Sequence, residues 1–299
     1  MSAFAPARKA QLKARVALAG PTGSGKTWTA LVWAQVLGKR IALIDTENGS
    51  AAYYADHFAF DTSVWNPPYD PTKLAKLIEE TARTNAYDVL IIDSLSHFWE
   101  GEGGTLDIAD AAGKRAQNNS YVGWKAATPV LRHLIDVIRN SPMHVIVTMR
   151  SKMEHVQAKD ERTGKTTITK VGMAPVMRAG IEYEFTVVGD MDLEHNLTIS
   201  KSRCHEIADV IAPANRADEI AATFAAWLDS GDPIASLADI EALRVLMDSV
   251  DDPDQRNGLK RAFKGVYGLP DALPATKVQE ALEWVTERIP APLPEGNHE

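Results

Sequence analysis

The sequence predicts an α/β fold: a mostly parallel twisted sheet flanked by helices, plus a small C-terminal helical domain. Three observations carry this. Apolar runs of strand length alternate with longer stretches free of helix breakers. The turn between the first strand and the first helix reads Gly20-Pro21-Thr22-Gly23-Ser24-Gly25-Lys26-Thr27, which fits G-x-x-x-x-G-K-[ST]. Beyond Ser230-Gly-Asp-Pro233, a linker signal, strand patterns stop and a Leu- and Ala-rich segment begins. The expected organisation is a lead-in over 1–12, an α/β core over 13–230, a helical domain over 231–289 and a tail over 290–299.

Arg15 to Ala19 reads as a buried strand and Trp28 to Leu37 as a helix, so the glycine-rich turn has the strand–loop–helix context the motif requires. Gly20, Gly23 and Gly25 let the backbone curl until its N–H groups face a phosphate. The following helix adds the positive end of its dipole. Lys26 supplies a charge for the β- and γ-phosphates, and the Thr27 hydroxyl is a Mg²⁺ ligand. The loop therefore predicts a bound nucleoside triphosphate.

The second strand, Arg40 to Asp45, ends in the polar turn Thr46-Glu47-Asn48-Gly49-Ser50. A helical pattern follows around 51–58, a proline-punctuated loop at 67–71, and a helix over 72–84. Tyr87 to Asp93 is an apolar run closed by an acid, the pattern of a buried strand that delivers a carboxylate to Mg²⁺. Residues 94–120 read as a long Gly-rich connection, 121–140 as a helix with Pro129 inside it, and 143–149 as another buried strand. Residues 150–180 read as a second long irregular stretch. Strands at 184–188 and 196–200 form a hairpin about a turn at 189–192, and a helix over 218–228 closes the core. Helices at 237–250, 255–267 and 276–289 make up the terminal domain.

Hydrolysis needs a group that orients or deprotonates water. Ser94 follows Asp93, so no acid stands there. Glu47 is the candidate base, at the carboxyl end of a strand expected beside the phosphate-loop strand. The competing reading makes Glu47 an acid that caps a helix start.

The phosphate loop, Ile44-Asp45-Thr46-Glu47 and Ile91-Ile92-Asp93-Ser94 together resemble the RecA-like P-loop ATPases, over roughly residues 13–230. The wording around Asp45 to Ser50 and Asp93 to His97 is most similar to the phage-type ATPases of single-strand annealing and recombination. That resemblance implies ATP and Mg²⁺ as cofactors and Glu47 as catalytic base. It makes Thr148, in Val147-Thr148-Met149-Arg150, the counterpart of the γ-phosphate sensor. It makes Lys201 and Arg203 the basic pair that reaches a neighbouring subunit's ATP in a homo-oligomer. As bare sequence, Lys201 and Arg203 read equally well as solvated charges on a hairpin edge. The two long loops would hold single-stranded DNA. From Arg150 to Arg178 seven basic residues stand against three acids, a net +4 within a chain of net charge -8. Lys159, Arg162, Lys165 and Lys170 are the expected phosphate contacts, and Phe98, Trp99, Tyr121 and Trp124 the stacking faces. The alternative for this stretch is a solvated β-hairpin about Arg162-Thr-Gly-Lys165.

The implied activity is a DNA-stimulated ATPase that promotes annealing or strand exchange, with a recombination or replication protein as a further partner. The competing reading is a nucleotide-gated loader or assembly switch docking through its C-terminal helices. A small-molecule kinase is weaker, because no lid or acceptor signature is visible. The net charge of -8 argues against a broadly basic nucleic-acid binder. No apolar run is long enough to cross a membrane, and the first thirteen residues lack the apolar stretch of a secretory signal. Cys204 is the single cysteine, so no internal disulfide can form, which fits a reducing cytoplasm.

Overall fold

The computed structural model describes residues 9–159, 166–268, 270 and 273–289. It is an α/β structure, a mostly parallel sheet flanked by helices, with a C-terminal helical region. Contacts divide the chain into two units, residues 13–226 and residues 227–299 together with the first twelve. In chain order the larger unit contains β1 (Arg15–Gly20), α1 (Lys26–Leu37), β2 (Ile41–Asp45), β3 (Asp61–Val64), α2 (Pro71–Thr84), β4 (Val89–Asp93), α3 (His97–Glu100), α4 (Thr105–Arg115) and α5 (Ser120–Asn140). It continues with β5 (His144–Lys159), β6 (Thr166–Pro175), β7 (Val187–Met191), β8 (Asn196–Ser202), β9 (Ile211–Pro213) and α6 (Ala217–Asp229) up to Ala226.

The strand order is β3-β2-β4-β5-β1-β7-β8-β9. The strands from β3 to β7 run parallel, and β8 and β9 add an antiparallel edge. Every residue of β1 and β4 is buried, as expected of parallel strands covered on both faces. The opposite edge, β3, is exposed at all four residues and polar at three, which blunts edge pairing. Helix starts follow capping chemistry. Asp70 accepts from Thr72 N ahead of Pro71, and Asn119 accepts from Tyr121 N and Val122 N at α5.

The strand order corrects one expectation. β2 is not beside β1, because β5 and β4 lie between them. Four local readings also change. The helix expected over 51–58 is a single 3₁₀ turn, Ser50–Tyr54. The connection at 94–120 is largely helical, as α3 and α4. α4 packs closely on α5: a Cβ on Gly123 of α5 would lie 2.3 Å from the Ala109 carbonyl of α4. The irregular stretch at 150–180 is in part a hairpin, since β5 runs on to Lys159 and pairs antiparallel with β6 from Ser151–Pro175 to Lys159–Thr166. Finally, β7 continues through Met191, so its turn into β8 falls at Asp192–His195, where the Asp192 carboxylate accepts from Asn196 N.

In the second unit α7 (Leu237–Asp248), α8 (Pro253–Tyr267) and α9 (Val278–Thr286) bury Leu243, Met247, Phe263 and Val285 against one another. A Ser236–Asp239 capping box starts α7. Residues 9–11, read from sequence as part of a lead-in, are tied to 227–232 in this unit. Ala10 bridges Asp232, and Lys9 donates to the Trp227 carbonyl and lies over the Trp227 ring. Among the described residues no helix is long and apolar enough to cross a membrane.

Two basic groups, Arg15 buried and His144 partly buried, hold the base of the sheet. Arg15 donates to the carbonyls of Ala14, Arg139, Ser141 and Met143, so its guanidinium closes the turn from α5 into β5, and burial lowers its pKa to about 10. His144 Nδ1 accepts from Ala14 N at 3.0 Å. Burial, followed by the charges of Lys13 and Arg15, lowers the His144 pKa to about 3. The unfolded chain binds this proton near pH 6.5 and the folded one does not, so stability rises with pH between about 3 and 6.5. Acidification from pH 7 to pH 5 should therefore cost about 2 kcal/mol through this residue. Chemical denaturation at both pH values checks it: H144N, which keeps an acceptor, should flatten the slope, and an unchanged slope contradicts it.

Candidate nucleotide-binding site

The carboxyl ends of four parallel strands meet along one edge of the sheet. Asp45 stands opposite Asp93, Ile92 opposite Val147, and Gly20 opposite Arg150. Register alone therefore gathers the β2 turn, Asp93, Thr148, Arg150 and the phosphate loop, where open parallel sheets bind ligands.

The loop leaves β1 at Gly20. A Cβ there would sit 2.6 Å from Ser24 Oγ and 2.7 Å from the Met191 carbonyl, so only glycine fits. Gly25, at φ 90°, opens α1 with no side-chain cap on its first-turn N–H groups. Ser24 Oγ is buried without a hydrogen-bond partner. Lys26 Nζ donates to the Pro21 carbonyl at 2.8 Å across the loop. Burial pushes the Lys26 pKa down, while the charges of Asp93 and Glu47 push it up. Free N–H groups, an unpartnered hydroxyl and a partly buried ammonium form a cradle that suits an anion.

Beside it Asp93 is buried between two hydroxyls. Thr27 Oγ1 donates to Asp93 Oδ2 at 2.6 Å, and Thr148 Oγ1 donates to Oδ1. Burial raises the Asp93 pKa, and both hydroxyl bonds oppose that rise. Thr27 and Asp93 are hard oxygen donors, a suitable pair for a Mg²⁺ that keeps waters and takes phosphate oxygens. Among the described residues no group of three or more His, Cys, Asp or Glu could hold a metal by itself.

The sequence model of a family described as an AAA domain matches residues 12–210. The chain belongs to that AAA-domain family. No curated protein matches the chain. Membership makes the larger unit a P-loop ATPase domain that binds nucleotide, typically with Mg²⁺, and the cradle just described is where this AAA domain has the groups to do so.

The β2 turn of the AAA domain is shaped by Asp45, which sequence reasoning had assigned no role. Asp45 Oδ1 accepts from Glu47 N at 2.6 Å and Oδ2 from Ala51 N at 2.9 Å. The turn-capping acid is thus Asp45, and the Glu47 side chain goes elsewhere. Its Oε1 accepts from Arg150 Nε at 3.2 Å and Nη2 at 3.0 Å. Glu47 is within electrostatic reach of Lys26 although two strands separate β2 from β1. His97 is a second residue missed from sequence. Its Nδ1 lies 2.6 Å from Thr46 Oγ1, and its ring stacks on Tyr69 at 4.9 Å. Burial, then the Arg150 charge, lowers its pKa. Neither partner is near His97 in sequence; the β2–β4 register supplies the contact.

The remaining sequence candidates lie outside this cluster. Lys201 Nζ donates to the carbonyls of Glu182 and Phe185 at 2.7 and 2.6 Å, closing a 3₁₀ turn of its own chain, and Arg203 is exposed just beyond β8. Phe98 is 1 % exposed and packs on Trp65 and Tyr69, so it offers no stacking face. Trp99 and Trp124 stack on each other at 5.9 Å, and Tyr121 is exposed. Lys159 and Lys170 fall on β5 and β6; Arg162 and Lys165 lie outside the described residues.

Removing the Thr148 hydroxyl should leave Asp93 buried with one donor fewer. T148V is expected to lose about 1–3 kcal/mol of stability and to move the acid limb of nucleotide binding to higher pH. T148S should behave as wild type. Calorimetric binding across pH 5–8 checks this, and a common acid limb in all three proteins contradicts it.

Proposed function

We propose that this AAA-domain chain is a Mg²⁺-dependent ATPase of RecA-like type that binds single-stranded DNA and promotes annealing or strand exchange. The observation that carries the ATPase reading is the carboxylate of Glu47. It stands at the phosphate-facing edge, within reach of the Lys26 charge, in a chain whose buried Asp93 is followed by a serine. The insertion of β5 between β1 and β4 supports the RecA-like reading, because it puts Thr148 against Asp93.

ATP supplies the phosphoryl group, and Mg²⁺ spreads its charge. The chain's own residues do the rest. The backbone of Gly20, Pro21, Thr22, Gly23, Ser24 and Gly25 cradles the phosphates, and Lys26 exchanges the Pro21 carbonyl for a phosphate oxygen. Thr27 and Asp93 hold the cation, with Thr148 fixing the Asp93 rotamer. Glu47 orients water and accepts its proton. Arg203, exposed beyond β8, is the stronger candidate to reach a neighbouring subunit's nucleotide in a homo-oligomer. Lys201 would first have to release two carbonyls.

For DNA, the β5–β6 hairpin carries Lys159 opposite Thr166 and Lys170 opposite His155 on its paired strands, with Arg162 and Lys165 between them in sequence. The Trp99–Trp124 pair and Arg178 line one cavity of about 340 Å³, offering an aromatic face beside a cation. The single cysteine fits a reducing cytoplasm.

ATP hydrolysis measured with and without single-stranded DNA, at two salt concentrations, tests the reading. DNA should stimulate wild type, less so at high salt. E47Q should lower kcat by about 10²–10⁴-fold. Joint neutralisation of Lys159, Arg162, Lys165 and Lys170 should abolish stimulation and leave basal turnover. Hydrolysis without any response to DNA would overturn the DNA reading in favour of a nucleotide-gated switch, and an active E47Q would remove Glu47 as base.

A further inference from the structure

Arg150 is not among the residues that the phosphate-loop motif, the buried acid or the candidate base point to, yet it stands at the centre of the site. Its backbone is fixed on both sides. Its N–H donates to Ser96 Oγ at 2.9 Å, and its carbonyl accepts from Val176 N at 2.6 Å. It lies in register with Gly20, the first residue of the phosphate loop. Only the side chain is left to move, and its guanidinium forks onto a single carboxylate oxygen of Glu47 through Nε and Nη2. The pair is partly exposed, at 40 % and 32 %, so the surrounding structure does not lock it. Among the described residues, Lys26 of α1 and His97 of α3 are charged or titratable groups within electrostatic reach of both members of the pair, and Asp93 of β4 is within reach of Glu47. Burial first, and the Arg150 charge after it, lowers the pKa values of Lys26 and His97, so the guanidinium is within electrostatic reach of both.

A guanidinium held by one carboxylate oxygen beside a phosphate cradle has a better partner available. A phosphate carries more charge and more acceptor oxygens than a carboxylate, and it matches the guanidinium fork. Resting on the nucleotide reading above, we infer that Arg150 is a positioning residue that distinguishes a nucleoside triphosphate from a diphosphate. It holds Glu47 aside in the resting site and exchanges that carboxylate for the terminal phosphate. The exchange releases Glu47 only when there is a phosphoryl group to attack. A diphosphate offers no terminal phosphate at that position and leaves the pair closed. Thr148 then fixes Asp93, and the phosphate-reading role belongs to the residue two places further along β5.

The test is equilibrium binding of ADP and of a non-hydrolysable ATP analogue, both with Mg²⁺, to wild type, R150A, R150K, E47Q and the R150A/E47Q double variant. R150A should lose about tenfold or more in analogue affinity, with ADP affinity changed less than about twofold. ADP binding also reports that the variant is folded. R150K should recover part of the loss. E47Q should tighten the analogue alone, and should have no effect once Arg150 is absent. Equal losses for both nucleotides, or an unchanged analogue affinity in R150A, overturn the inference and leave the nucleotide site standing. Failure of wild type to bind either nucleotide overturns the nucleotide reading and the inference with it.

Discussion

The carboxylate of Asp93, buried between the hydroxyls of Thr27 and Thr148, is the interaction on which the site depends. Leaving a carboxylate 2 % exposed is costly unless its lone pairs are met. Here they are met by the first turn of α1 and by the strand next to β4. One bond ties the phosphate loop to the acid, and the other ties the acid to β5. The three elements that would handle a nucleotide are therefore one hydrogen-bonded unit: parallel register places the Thr148 hydroxyl, and the first turn of α1 places that of Thr27.

The same register explains why residues from four separate strands act at one edge. Parallel strands end together, so the polar turn after each apolar run emerges on the same side. Asp45 spends its carboxylate on the backbone of its own turn, which frees Glu47 to face Arg150. Thr46 joins this layer by bonding the Asp93 carbonyl and His97. The turn after β2 is thereby stitched to the turn after β4, and Glu47 is carried on a braced segment.

Much of this was legible in the sequence because it is local. A glycine pattern between a strand and a helix, an apolar run closed by Asp93 and the helices of the C-terminal region all announce themselves within about twenty residues. What was not legible depends on pairing. Nothing near Ile41–Asp45 says that β4 and β5 separate it from β1. Nothing in the helix pattern at 121–140 says that Gly123 meets the Ala109 carbonyl of α4. Phe98 looks like an available ring until the core closes on it. Arg150 looked like the first charge of a basic loop, because its partner Glu47 is 103 residues away. The hairpin after it was legible only as the alternative reading, from the turn signal at Arg162-Thr-Gly-Lys165, because its polar, glycine-punctuated strands alternate weakly; the pairing of β5 with β6 supplies the order.

The most direct measurement of the central claim is ATP binding by titration calorimetry, with Mg²⁺ and with Mg²⁺ chelated, for wild type and D93N. If Thr27 and Asp93 hold the cation while the loop and Lys26 hold the phosphates, Mg²⁺ should tighten wild-type binding by about tenfold or more. D93N should lose that gain and keep Mg²⁺-free binding. An equal Mg²⁺ gain in D93N, or no ATP binding by wild type, would contradict the account.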